Sequence, residues 1–243
     1  MQPEPTPAQP PHPAPAEPAP LPEPGPLLEP APLPEPAPAA PAVPLTPVRL
    51  TGPRLAIREF HHTPEDVDAL HAVFGDPETA RYLPFEPRDR ETCADQISLY
   101  LDEAEAEPRT VYRLAVTLLA EGEPEYAVPI GNLALGLEGD RAAFLGYALR
   151  RDTWGRGYAG EITALACDFA FGPLGLHRLW ARVDPDNTAS SRVLTRAGFQ
   201  LEGRIRHDLH LGGRWHDAFQ YSLLEDEWQA GAWRTGEQPP ARG

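Results

Sequence analysis

A mixed α/β sheet fold, preceded by a separate proline-rich tail, is what this sequence predicts, and three observations predict it. From about residue 49 onward, β-like runs and amphipathic helical runs are interleaved. Three of the β-like runs follow one another with turn chemistry between them, which is the pattern of an antiparallel meander. A glycine-rich turn then leads into an apolar helix and a closing hairpin, so helices must cover the sheet.

Residues 1–48 stand apart, with 20 of the 32 prolines, five Glu and no Lys or Arg. Proline removes backbone donors and fixes φ, and the stretch has little apolar surface to offset the entropy of ordering. An extended, disordered tail, partly polyproline II, is expected. It reads as a spacer before it reads as a docking segment. The folded domain is expected over residues 49–233, roughly 185 residues and enough for one substantial core, with a flexible C-terminal tail over 234–243.

Net charge is −15 over 243 residues, and setting aside the five Glu of the tail leaves −10 on the remainder. A nucleic-acid partner is disfavoured, and a cationic partner suits the charge. All 21 basic side chains are arginine. Cys93 and Cys167 fall within helical runs without metal-like spacing, so buried reduced thiols are expected and no metal site is. No run approaches the roughly 18 apolar residues of a membrane span, and no signal-peptide pattern opens the chain. A cytoplasmic setting follows as the expectation.

Element by element, Leu55 and Ile57 alternate with Arg54, Ala56 and Arg58, giving a strand over residues 54–59. Thr63 can cap the next helix, with Pro64 in its first turn, Glu65 and Asp66 at its positive end, and an apolar stripe of Val67, Leu70, Val73 and Phe74. Asp76-Pro77 opens a short helical piece, and residues 89–106 form a longer helix stopped by Pro108. The meander follows over residues 111–119, 127–137 and 141–149, with turns at 121–124 and 138–140. A helix over 158–171 places Ile162, Leu165, Ala166 and Phe169 on one face, and Gly172-Pro173 ends it. A strand over 178–183, a short helix over 188–196 and a hairpin of 200–209 with 215–224 around Gly212-Gly213 complete the sheet. Residues 228–233 read as a short terminal helix.

Chemistry concentrates in two stretches. Leu145-Gly146-Tyr147-Ala148-Leu149 is a strand with an internal glycine, which marks a bulge or a close approach by another backbone or a ligand. Trp154-Gly155-Arg156-Gly157-Tyr158-Ala159 runs into a helix, so backbone N–H groups can converge on phosphate oxygens at the positive end of its dipole. The segment lacks the Lys-Ser or Lys-Thr of a P-loop and the full GxGxxG of a dinucleotide fold. An ordinary tight loop is the alternative.

These stretches, together with Asn187-Thr188-Ala189-Ser190, Gly198-Phe199, Glu202-Gly203, Asp217 and Tyr221-Ser222, resemble the GNAT acyltransferases in order and spacing from about Arg54 to Trp228. The resemblance is to the branch that includes the ribosomal-protein N-terminal (alanine/serine) acetyltransferases. It implies an acyl-CoA N-acyltransferase fold whose central sheet splays open, with the pantetheine arm of acetyl-CoA beside the strand containing Gly146, Tyr147 and Ala148. The cofactor pyrophosphate then rests on the amides of Gly155, Arg156, Gly157, Tyr158 and Ala159. Trp154 stands where many relatives have Gln or Arg. Asn187, eleven residues before Gly198, matches a family Asn that contacts the pantetheine region, although Asp184-Pro185-Asp186-Asn187 is also a plain turn and cap.

The implied reaction is attack of a neutral amine on the thioester, which needs a proton acceptor, an oxyanion donor and an acid for the departing thiolate. The Tyr that many relatives use as that acid is Leu194 here, and the resemblance passes the role to Ser190. A Glu often found two residues before the Gly-Tyr pair is Phe144, and another family position aligns with Leu209. Asp208 and His210 flank Leu209 and would face the site only through a bulge, and His207 and Asp217 are further candidates. Asp208 and Asp217 are retained as catalytic candidates. The acceptor is expected to be a peptide N-terminus or a small cationic amine such as an antibiotic or polyamine. A CoA-binding module without catalysis is the competing expectation, and oligomeric state is open.

Overall fold

In a computed structural model, which describes residues 47–119, 123 and 125–228, the elements follow the interleaved order set by the hydrophobic pattern. A short strand β1 (Arg49–Thr51) precedes β2 (Leu55–Glu59), which the alternation of Leu55 and Ile57 defines. Helices α1 (Pro64–Phe74), α2 (Pro77–Ala80) and α3 (Arg90–Glu105) follow. Each opens on a side-chain cap: the expected Thr63, and also Asp76 and Asp89, accept from the amides of Asp66, Glu78 and Thr92.

The meander is β3 (Val111–Leu118), β4 (Gly131–Glu138) and β5 (Ala142–Leu149). β4 begins four residues later than the apolar pattern suggests. Pro129 has no N–H to give to a ladder, so regular pairing starts beyond it. Helix α4 (Tyr158–Phe171), strand β6 (Arg178–Val183) and helix α5 (Thr188–Arg196) keep the limits read from the sequence. The closing hairpin is β7 (Gln200–Leu211) and β8 (Arg214–Leu224), turned at Gly212 and Gly213 with φ of 58° and 73°. That pair of left-handed residues makes the tight primed turn whose twist matches its strands.

The eight strands form one mixed sheet in the order β1-β2-β3-β4-β5-β6-β8-β7. All neighbours are antiparallel except β5 and β6, which run parallel. Alternation along β5 sends Leu145 and Leu149 to one face and Ala148 to the other. On the first face, Ile162, Leu165 and Phe169 of α4 and Leu194 of α5 pack on Leu133, Leu135, Leu179 and Val183. On the second, Phe60, Leu70 and Phe74 with Ile97 and Tyr100 cover Ala115 and Ala148. Gly198 ends α5 with φ of 95°, and Phe199 enters the first core at 3% exposure.

Cys93 and Cys167 are buried free thiols, and burial pushes Cys93 up to about 11. The expected proline-rich tail lies outside the described residues, apart from Pro47 and Val48. So does the C-terminal tail, all but Glu123 of the turn at 121–124, and all but Trp228 of the expected terminal helix. No described helix is long and apolar enough to cross a membrane, and no group of described side chains is arranged to hold a metal ion.

Candidate functional site

The site is assembled where β5 and β6 part. They are paired only at Ala142–Arg178, Ala143–Leu179 and Phe144–Trp180, and beyond these residues β5 continues to Leu149 without a register partner on β6. Parallel strands joined through a helix tolerate such divergence because no short turn holds their ends together. Gly146 lies just past the fork. A methyl group added there would meet only the Phe144 ring, at 3.7 Å, so the protein's own packing does not demand glycine. The strand edge from Leu145 onward is therefore accessible to a narrow, extended ligand with polar backbone-like groups.

At the end of β5 the chain turns through a 3₁₀ segment, Arg151–Thr153, and then through Gly155 and Gly157 with φ of 74° and 78°. The Trp154 indole donates to Leu149 O at 2.8 Å, tying this turn to the strand end. Gly157 is the N-cap of α4, and no side chain caps the helix. The first amide bonded back into the turn is that of Glu161, to Gly157 O at 3.4 Å, so the amides of Gly157, Tyr158, Ala159 and Gly160 precede the intrahelical ladder. A diphosphate fits such an uncapped, dipole-positive end, which has no Cβ at Gly155, Gly157 or Gly160 to obstruct approach.

This turn is braced from behind. Glu161, 6% exposed, accepts from the Arg54 amide at 2.8 Å, the Leu55 amide at 3.0 Å and Arg54 Nε at 2.9 Å. Arg54 also donates to Arg156 O at 2.8 Å and lies over the Tyr158 ring at 4.8 Å. A depression of about 290 Å³ lies along this flank, lined by Pro53, Arg54, Gly157, Gly160 and Glu161.

Across the fork, Asn187 caps α5 by accepting from the Ser190 amide at 3.0 Å. The plain-cap reading of Asn187 is thus realised, and its Oδ1 is engaged in it. Ser190 Oγ lies 3.2 Å from the Tyr147 hydroxyl, on the face of β5 that carries α4 and α5. Burial raises the Tyr147 phenol above its ordinary value, and the contact to Ser190 offsets this in part.

On the opposite face, Phe144 packs against Trp180 with centroids 6.0 Å apart, and Arg182 lies over Trp180 at 5.1 Å. Trp180 Nε1 donates to Glu138 at 3.2 Å. Phe144 fits because Gly136 sits opposite it in β4; a methyl there would fall 2.3 Å from the ring. β7 is irregular at Asp208: between Ile205 and Leu209 the β7–β8 register slips, His207 takes φ of 54°, and Asp208 pairs with Arg182 at 2.8 Å. Asp208 therefore reaches across β8 to the Trp180 face.

Asp217 has a different setting. It accepts the His207 amide at 2.9 Å and Arg204 Nε at 2.7 Å, and the His207 hydrogen bond, with Arg204 behind it, holds its carboxyl below the ordinary range. The His207 ring stacks on Trp215 at 5.7 Å, and His210 packs on the same indole at 5.0 Å. Glu202 is held by Arg178 at 2.8 and 2.7 Å, by Gln220 at 2.9 Å and by Ser222 at 2.8 Å. These bonds, Arg178's first, lower it to about 2.

The structure thus brings together Gly146, Tyr147, Ala148, Asn187 and Ser190 around the fork, with Gly155 to Ala159 at its mouth. Asp208 lies on the far face, and Asp217 lies in the hairpin ladder. Sequence reading missed Arg54, Glu161, Trp180 and Arg182. The first two are 107 positions apart and match no local pattern. Trp180 and Arg182 were legible only as alternate residues of one strand.

Comparisons with known proteins identify the family. The acetyltransferase (GNAT) domain family matches residues 54–200. The uncharacterized N-acetyltransferase p20 of Bacillus licheniformis is 31% identical over 179 residues, covering 72% of this chain and 95% of that protein. The ribosomal protein uS5-alanine N-acetyltransferase of Escherichia coli (strain K12) is 27% identical over 190 residues, covering 76% of this chain and 94% of that enzyme. Among solved structures, Mycobacterium smegmatis RimJ in complex with CoA-disulfide has a TM-score of 0.65 at 24% identity, covering 79% of this chain and 94% of that one. That likeness is one of fold.

Proposed function

Because this chain belongs to the GNAT acetyltransferase family, we propose that it moves an acetyl group from acetyl-CoA to the α-amine of a protein or peptide N-terminus. The chain is an acetyl-CoA-dependent N-acetyltransferase that acts on amines. The N-terminal acceptor is the finer reading. It is supported by similarity to the uS5-alanine enzyme along nearly all of that protein, and by a partly exposed sheet face at Trp180, Arg182 and Gln220 where an extended chain can lie. A small cationic amine is the competing acceptor.

One observation carries the donor half of this proposal. The fork between β5 and β6 leads along a single strand edge to the uncapped, glycine-flanked start of α4. In our assignment the amides of Gly155, Arg156, Gly157, Tyr158 and Ala159 hold the pyrophosphate. The edge of Gly146, Tyr147 and Ala148 receives the pantetheine arm, and Asn187 contacts it from across the fork. When bound, acetyl-CoA supplies the activated thioester. The amine nitrogen bonds to its carbonyl carbon, the carbon–sulfur bond breaks, and Ser190 gives its proton to the departing thiolate.

The acceptor half rests on Asp208, which we assign to draw the proton from the amine, through water, toward solvent. Asp217 is assigned to hold the bulge that aims Asp208, because its own oxygens are committed to His207 and Arg204. Incubating the protein with acetyl-CoA and a peptide beginning with alanine, spermidine or an aminoglycoside, while following free thiol, tests the reading. Turnover on the peptide supports it. Turnover on spermidine or the aminoglycoside alone transfers the proposal to a small amine. Binding of acetyl-CoA without turnover on any acceptor overturns it.

A further inference from the structure

We propose that the Tyr147 hydroxyl positions the thiol-protonating group: it donates to Ser190 Oγ and so leaves the Ser190 proton directed at the donor sulfur. This rests on the assignment of Ser190 above.

The geometry leaves little choice of arrangement. Ser190 Oγ and Tyr147 OH are 3.2 Å apart, and either can be the donor. If Ser190 donated to Tyr147, its single proton would be spent on the phenol and none would face the sulfur. With Tyr147 donating, the serine oxygen is held by one lone pair and its O–H swings into the fork. Two further observations fix the pair. The Ser190 amide is anchored by Asn187 in the first turn of α5, so its side chain has a settled origin. The Tyr147 ring packs against the core beneath α4 and α5, opposite Leu133 in the β4 ladder. The contact therefore spans the fork, from β5 on one side to the helix that follows β6 on the other.

Burial adds a consistent property. It raises the Tyr147 phenol, so the group stays protonated and able to donate throughout the neutral range. As the S–H bond forms and the Ser190 O–H bond breaks, the charge arriving on Ser190 Oγ meets the Tyr147 proton. The proton shed by the newly acylated amine, relayed through solvent, restores the pair. Nothing else is consumed. Tyr147 touches no reacting atom in this scheme and acts only through Ser190.

Three variants test it: Tyr147→Phe, Ser190→Ala and the double variant. Thiol release from acetyl-CoA is followed with an alanine-starting peptide, with spermidine, and with water as the acceptor, since slow thioester hydrolysis also needs the thiolate to be protonated. Tyr147→Phe keeps the ring, so the melting temperature and the KM for acetyl-CoA are expected to stay within about twofold of the parent. The turnover number is expected to fall about tenfold, the usual worth of one hydrogen bond. Ser190→Ala falls at least as far, and the double variant falls no further than Ser190→Ala alone. If Ser190→Ala loses turnover while Tyr147→Phe does not, or if the two losses multiply, the positioning role is overturned and the Ser190 assignment stands. If Ser190→Ala turns over normally, the Ser190 assignment fails and the positioning role fails with it.

Discussion

Arg54 and Glu161 are joined by two hydrogen bonds, from the Arg54 amide and from its Nε, across 107 positions of sequence. The pair locks the first turn of α4 to the start of β2, directly behind the amides assigned to the pyrophosphate. Glu161 also takes the Leu55 amide, so three donors depend on one buried carboxylate. Replacing Glu161 by Ala strands those donors and is expected to cost about 2–4 kcal/mol of stability. Denaturant melts read that loss, and titration with acetyl-CoA should show weaker binding. Glu161→Gln, which keeps one acceptor oxygen, should recover part of both.

A second test concerns the turn itself. Gly157 has φ of 78°, and an added Cβ would have Arg54 Nη2 as its nearest neighbour at 3.6 Å. Gly157→Ala therefore meets no clash and pays for its backbone conformation alone, about 1–2 kcal/mol. The expected result is a several-fold rise in the KM for acetyl-CoA with a turnover number near the parent's. An unchanged KM would place the diphosphate elsewhere.

On the other face, Gly136 admits the ring of Phe144. Gly136→Ala drives a methyl into that ring and must displace it toward Trp180. An overpacked core of this kind costs about 1–3 kcal/mol. Steady-state kinetics should show the effect on the KM for the amine acceptor more than on that for acetyl-CoA.

The two aspartates of the hairpin separate by the same kind of measurement. Asp208→Asn is expected to lower kcat/KM for the amine by at least tenfold while leaving acetyl-CoA binding intact. Asp217→Asn keeps an oxygen for the His207 amide and should be mild, whereas Asp217→Ala releases the bulge and should resemble Asp208→Asn in kinetics. A larger loss for Asp217→Asn than for Asp208→Asn would reverse the two assignments.

Glu202 carries a pH signature. Its carboxyl is lowered from 4.5 to about 2, chiefly by Arg178. A depressed acid stabilises the fold fully above its unfolded value, so the contribution is present above about pH 4.5 and fades as pH falls toward 2. The two side chains are 29% and 37% exposed, and solvent screening reduces the term to about 1 kcal/mol. Glu202→Gln should therefore be less stable than the parent at neutral pH, and the difference should close on acidification. A gap that is constant with pH would assign the effect to packing.

Much of this architecture was legible beforehand, for reasons that differ between elements. α4 and α5 match their expected limits because each has local punctuation: Gly157 and Gly172 around α4, Asn187 and Gly198 around α5. β1 escaped notice because three residues followed by Gly52-Pro53 carry no periodicity, and it is a strand only because β2 pairs with it. Most residues we assign to the donor lie in two short stretches, Gly146 to Ala148 and Gly155 to Ala159, and so could be proposed directly from sequence. The acceptor side as we assign it involves a register slip in β7 and contacts from Arg182 to Asp208 and from Trp180 to Glu138, and these come into being only with the sheet. Sequence could say that Asp208 would need a bulge in β7; the slip between Ile205 and Leu209 belongs to the assembled ladder.

The strand order has a consequence for how the protein is made. β8 comes after β7 in sequence yet lies between β6 and β7, so among the described strands β7 has its backbone ladder with β8 alone. During synthesis every residue assigned to the donor half, and Ser190 as well, emerges before it. Until Arg214–Leu224 has left the ribosome, β6 has an unpaired outer edge and β7 has no place to dock. An exposed edge of that kind invites pairing with another chain. The outer edge of β6 is therefore covered late, by the same eleven residues that carry Asp217.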